Sequence, residues 1–171
     1  EILVALQGLI SAFGSLPFIK DAITAADAGD NTPSIHAPRS GKPWLASALW
    51  QSSSVPTLLV CPRPEIAREV FGQIRSIFGE DNDSVLLFPE REPIPYERLQ
   101  AESSTIHQRL VVLQQLLEST TSQSPLLIVT SVAALTQKTL DPSNYREMMI
   151  YLSAGDIVVQ QTLINDLLQM Q

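Results

Sequence analysis

Four short runs rich in β-forming residues recur along the chain, at 34–37, 57–60, 84–88 and 126–129, and the segments between them carry helical periodicity. Alternation of this kind leaves few folds open. A strand followed by a helix and another strand closes most readily as a parallel pair with a right-handed crossover, and repeating the unit builds an open parallel sheet with helices on its faces. Each run is bounded by turn residues and shows no polar–apolar alternation, which predicts strands buried on both faces.

Between the second and third runs, Ile66, Val70, Ile74 and Ile77 fall at helical spacing over Pro64–Phe78, and Gly79 follows as a stop. Between the third and fourth, Ile106, Leu110, Leu113 and Leu117 form an apolar stripe over 102–119. Two leading helices are expected near 2–13 and 17–28. The fold class is therefore a doubly wound α/β domain over residues 1–138. After Lys138 the pattern changes: 139–144 is turn-rich, and 145–152, 153–156 and 158–170 read as strand, turn and helix of another unit. Residues 139–171 are thus expected to be the start of a second domain, cut within its helix.

An apolar fraction of 44% with 17% charged residues provides mass for a core and excludes a disordered chain. The apolar stretches 2–6 and 9–13 are too short and too interrupted to span a bilayer, and no basic region precedes them as in a signal peptide. No membrane partner is expected. Cys61 has no second cysteine to pair with, and it ends an apolar run, as a buried inert thiol does; a cytoplasmic setting fits. The net charge of −7 repels phosphate backbones, so nonspecific nucleic-acid binding is not expected. Arg39, Lys42, Arg63, Arg68 and Arg75 gather in the first half, but Glu65 and Glu69 dilute them and no aromatics interleave with them.

The segment His36-Ala37-Pro38-Arg39-Ser40-Gly41-Lys42-Pro43 has the spacing and the Gly-Lys pair of a phosphate-binding loop, G-x-x-x-x-G-K-[S/T]. Its chemistry is depleted. His36 replaces the first glycine, Pro43 replaces the hydroxyl that would hold Mg²⁺, and Pro38 and Pro43 carry no N–H for phosphate oxygens. His36, Gly41, Lys42 and Pro43 are thus expected to be a non-functional remnant, although an ordinary loop entering a helix with proline in its first turn reads the same way.

Other reactive side chains make no catalytic set. Glu90, Glu92 and Glu97 are separated by prolines and lack a third partner, so they read as a solvated loop rather than an acid–base pair. His36 and His107 have no cysteine or histidine near them in sequence to complete a zinc site. Cys61 and His36 could face one another as a thiol pair, but nothing orients the histidine. Trp44 and Trp50 read as packing residues, and Arg109 as a structural ion pair rather than an arginine finger. No catalytic residue and no metal ligand is expected.

Two stretches turn the loop into part of a pattern. Leu86-Leu-Phe-Pro-Glu-Arg-Glu-Pro-Ile-Pro-Tyr-Glu97, followed by Ile106-His-Gln-Arg-Leu110, resembles the "FP-x-x-E-x-x-PYE … RL" signature of the transcription-repair coupling factors (Mfd). Leu127-Ile-Val-Thr-Ser-Val-Ala-Ala-Leu135 is similar to a strand and turn that these proteins share with the excision-repair protein UvrB. The resemblance runs from about Asp21 to the end. It implies a parallel-sheet, P-loop-type domain like UvrB domain 1a, followed by the start of the domain that docks UvrA. By the same resemblance the whole protein is an ATP-dependent DNA translocase that displaces stalled RNA polymerase. Its ATP and Mg²⁺ serve a motor outside this chain, and polymerase and DNA are met by other regions. The chain itself is then a non-catalytic scaffold that contacts UvrA and neighbouring domains, and it needs no cofactor. UvrB keeps an intact phosphate loop and a tyrosine-rich hairpin after the corresponding strand. Here Pro93, Ile94 and Pro95 leave no room for the hairpin, and Tyr96 is a lone ring. The alternatives are a UvrB-type damage-binding ATPase fragment, or a small-ligand protein using the crevice at the carboxyl ends of the strands.

Overall fold

The computed structural model describes residues 2–29, 34–53, 55–79, 82–91, 103–122 and 125–169. By its internal contacts the chain divides into two compact units, Glu1–Gln137 and Lys138–Gln171.

The first unit is α/β. Helices α1 (Ile2–Gly14), α2 (Pro17–Asp27) and α3 (Lys42–Gln51) precede β1 (Thr57–Cys61), α4 (Pro64–Phe78), β2 (Val85–Phe88), α5 (Ser103–Ser122), β3 (Leu127–Ser131) and the short α6 (Val132–Thr136). The three strands form one parallel sheet in the order β1-β3-β2, with Thr57 and Val85 both level with Leu127. The α4 crossover therefore passes over the position that β3 fills after α5. Proline in the first turn starts α2, α3 and α4, where a missing N–H costs nothing. Gly79 ends α4 at φ 98°, a conformation closed to residues with a Cβ, and its N–H bonds the Arg75 carbonyl at 2.8 Å.

Both faces of the sheet are covered by helices. On one, Leu127, Val129, Val85 and Cys61 pack with Ile74, Ile77 and Phe78 of α4, Ala48 and Trp50 of α3, Ile10 of α1 and Ile19 of α2. On the other, Ile128 and Phe88 pack with Val112 of α5 and Ala134 of α6. Central β3 is buried at every position, as its unalternated sequence requires.

β1 departs from that expectation. Leu58 and Val60 remain 51% and 43% exposed, because they stand at the sheet's edge on the face where Val112, Leu113 and Leu116 of α5 cluster with β2 and β3 instead. A second correction concerns 34–37, which is irregular and outside the sheet. The run has one sizeable apolar side chain, Ile35, and it ends at Pro38; an extended segment that cannot bury two faces and has no ladder partner gains nothing from strand geometry. Lys42 likewise opens α3 rather than lying in the loop before it.

In the second unit, α7 (Pro142–Glu147) replaces the strand expected to begin at Tyr145. Asp141 caps it, its Oδ1 accepting from the Ser143 N–H at 2.8 Å and the Ser143 hydroxyl at 2.6 Å, and Pro142 fills the first turn. This Asp-Pro start signal outweighs the strand propensity of residues 145–152. A turn at 153–156 closes through the Asp156 N–H to the Ser153 carbonyl at 3.1 Å, with Gly155 at φ 102°, and α8 (Gln160–Gln169) completes the unit's described residues. Among the described residues no single helix is long and apolar enough to cross a membrane.

Candidate functional site

The loop before α3 runs without regular structure through 34–38 and tightens into a single 3-10 turn, Arg39–Gly41. Pro38 sets up that turn by holding φ at −60°, and its carbonyl accepts the Gly41 N–H at 2.9 Å. The Lys42 N–H in turn bonds the Arg39 carbonyl. Two amides that a phosphate-binding loop would aim at its ligand are therefore spent inside the turn. Gly41 lies in the right-handed region, at φ −84°. Glycine is favoured there by crowding, since a Cβ would come within 3.3 Å of the Pro38 ring. His36 and Lys42 are exposed, and Pro43 is buried at the helix start. Gly41, Lys42 and Pro43 thus lie together at the junction of this turn with α3, and His36 sits in the irregular stretch before it.

Beside this turn, Ser40, Pro43 and Trp44 face Gln73, Ser76 and Ile77 of α4 across a groove of about 400 Å³. None of His36, Gly41 or Lys42 lines it. Arg39 crosses to α4 through a 2.5 Å ion pair with Glu69. At the carboxyl ends of β2 and β3, where open parallel sheets bind ligands, the described crevice between Phe88, Pro89, Glu90, Ser131 and the start of α4 holds about 10 Å³. That is room for one water molecule.

The same edge carries a polar corner that the sequence did not announce. Arg109 of α5 is 5% exposed; its guanidinium lies 4.0 Å from the centre of the Phe88 ring and donates from Nη1 to the Pro89 carbonyl at 2.7 Å and to Gln137 Oε1 at 3.3 Å. Gln137 clamps Arg91 in both directions, accepting its N–H at 2.8 Å and donating Nε2 to its carbonyl at 2.7 Å. Thr130 donates to the Phe88 carbonyl at 2.9 Å. Burial, and then the neighbouring Arg91, hold the Arg109 pKa below its ordinary value. Among the described residues Arg109 meets carbonyl acceptors and an aromatic face and no carboxylate, and its Nη2 has no hydrogen-bond partner. These contacts fix the chain at 88–91, where the Phe-Pro signature begins. Gln137 carried no signal in the sequence, since a glutamine after an apolar run is ordinary.

The remaining candidates are dispersed. Cys61 is buried at the end of β1, where burial raises its pKa and the positive charge of Lys42 partly offsets the rise. His36 is on the loop before α3, and His107 is exposed on α5. Among the described residues no group of His, Cys, Asp and Glu could hold a metal ion. Trp50 packs edge-on against Phe78 at 5.0 Å, and Trp44 stacks on Phe13 at 6.3 Å, both as packing residues. Glu90 is half-buried, while Glu92, Glu97, Tyr96 and Pro93 to Pro95 lie outside the described residues.

A chain with a Gly-Lys turn before α3 and a Phe-Pro corner after β2 has curated relatives. The transcription-repair-coupling factor of Mycobacterium tuberculosis is 31% identical over 135 residues, covering 77% of this chain and 10% of the relative. The chain is similar to the coupling factors. UvrABC system protein B of Vibrio parahaemolyticus is 26% identical over 167 residues, covering 90% of the chain and 24% of that protein, and that of Colwellia psychrerythraea is 25% identical over 143 residues, covering 77% of the chain and 20% of that protein. The similarity to both groups matches the UvrB-like character read from the signature residues. This chain spans about a tenth of the length of the coupling factors it matches. No protein-family model matches it.

Proposed function

We propose that this chain is a non-catalytic scaffold portion of a transcription-repair coupling factor, with a P-loop-type first domain that has lost its nucleotide chemistry. The observation that carries the reading is the state of the loop: the Gly41 and Lys42 amides are turned inward onto the Pro38 and Arg39 carbonyls. Pro38 and Pro43 add no donor, and no hydroxyl stands at the Mg²⁺ position. The polar corner around Arg109 supports a structural role for the Phe-Pro signature, because its side chains are spent on holding the chain rather than facing a cavity. In the whole protein, DNA translocation, displacement of stalled RNA polymerase and ATP turnover would belong to regions outside these residues. The unit Lys138–Gln171 would belong to the part that docks UvrA.

A second reading, a UvrB-type damage-binding ATPase fragment, draws support from the similarity to UvrB over 90% of the chain. One titration separates the two. Calorimetry with Mg-ATP is expected to give no saturable heat, and a dissociation constant in the low micromolar range would refute the scaffold reading. His36→Gly with Pro43→Thr is expected to improve phosphate binding weakly at best, without turnover, since among the described residues no acidic group is placed to hold the metal and none to position water.

A further inference from the structure

Gln137 is the last residue of the first unit, and the chain leaves for the second at Lys138. Its position follows from the sheet. β3 ends at Ser131, whose hydroxyl caps α6 by accepting the Ala134 N–H at 3.1 Å, and α6 lasts only five residues before Gln137 turns extended at ψ 134°. Fully buried Ala134 pins that helix to the same cluster as Phe88, Val112 and Ile128. The exit residue is therefore held one short helix away from the central strand, and its side chain is the group that grips Arg91.

Two kinds of contact close this grip. The pair of bonds to the Arg91 backbone is solvent-exposed, so water competes for each of them. The third bond, from Arg109 Nη1 to Gln137 Oε1 at 3.3 Å, comes from a cation that is 5% exposed, has an unbonded Nη2 and meets no carboxylate among the described residues. A guanidinium buried in that state gains by hydration, whereas its bonds to Gln137 and to the Pro89 carbonyl oppose release. The closed arrangement is balanced rather than locked. It joins two stretches of chain whose gripping residues are 46 positions apart, the Phe-Pro corner at 89–91 and the exit after Gln137.

We infer that Gln137 is a latch coupling residues 89–91 to the chain that leaves the first unit, with Arg109 as the positioning residue behind it. While the latch is closed both stretches are held, and drawing either one away releases the other.

Amide-resolved NMR of the whole chain offers two readouts. One is hydrogen exchange at the Arg91 N–H, which Gln137 accepts; the other is the fast-timescale order of the Thr139 and Leu140 amides, which are exposed and outside regular structure. Gln137→Ala is expected to speed Arg91 exchange about fivefold, the scale of one hydrogen bond, and to lower the order of Thr139 and Leu140 while the β3 amides keep their protection. Arg109→Met alters neither the latch residue nor the exit, and it is expected to reproduce both effects. Gln137→Glu keeps the acceptor shared by Arg91 and Arg109 and should stay at wild-type order, so its contrast with Gln137→Ala decides the matter if Arg109→Met does not fold. Unchanged order at Thr139 and Leu140 in Gln137→Ala, or order already as low in the wild type, would overturn the latch. An effect of Gln137→Ala without one of a folded Arg109→Met would overturn the coupling, as would loss of protection throughout β3, which marks general destabilisation.

Discussion

Replacing Arg109 with methionine tests whether the corner at the end of β2 holds the Phe-Pro segment or merely tolerates a buried charge. Methionine keeps most of the volume and the apolar stem but removes the guanidinium. The loss begins with the 2.7 Å bond to the Pro89 carbonyl, a contact from a charged donor whose removal costs about 1–3 kcal/mol when the acceptor stays buried. The cation over the Phe88 ring adds about 2 kcal/mol in a desolvated setting. Opposing these is relief from burying a guanidinium with no carboxylate among the described residues and an orphan Nη2, which returns about 1–2 kcal/mol. The balance is a net loss of about 1–4 kcal/mol, or roughly 3–12 °C in melting temperature for a unit of this size. Urea denaturation followed by far-UV circular dichroism measures it. Gln137→Ala in the same background completes a double-mutant cycle, and the shared hydrogen bond predicts coupling of about 0.5–1 kcal/mol. A methionine variant as stable as the wild type, or more so, would show that desolvation outweighs the contacts. Strict additivity with Gln137→Ala would show that the two residues do not act as one clamp.

Ser47→Ala should stabilise the first unit by about 1–2 kcal/mol in the same assay, because its fully buried hydroxyl has no partner among the described residues and alanine is the better helix former in α3; a destabilised variant would reveal a bond the structure lacks. Gly79→Ala should cost about 1–3 kcal/mol, since φ 98° with ψ 146° is closed to a Cβ, and an unchanged denaturation midpoint would contradict that geometry. The Cys61 thiol, raised by burial, should react with a disulfide reagent at neutral pH only as fast as the chain opens. As its folded pKa lies above the unfolded one, its contribution to stability is complete below the ordinary thiol range and is lost as pH rises through the raised value; thiol labelling and denaturation from neutral pH into the alkaline range check both statements.

The local physics of the elements was legible in the residues themselves. Pro64 opens α4, Ile66, Val70, Ile74 and Ile77 give it one apolar face, and Gly79 stops it; these are nearest-neighbour effects that no later folding step alters. The unalternated run that became β3 likewise required burial on two faces, and the parallel order of alternating strands and helices followed from chain connectivity. What the chain could not settle locally is which run finds a partner. Residues 34–37 and 57–60 both read as short runs of β-forming residues between turns, yet only the second pairs with β3, because strand formation depends on a neighbour that sequence spacing does not identify. That the turn before α3 offers few backbone donors was readable from Pro38 and Pro43 alone, since a missing N–H is a property of residue type. The clamp of Arg109 and Gln137 on 89–91 was not, because residues 20 to 46 positions apart meet only when α5 and α6 settle against the same sheet edge.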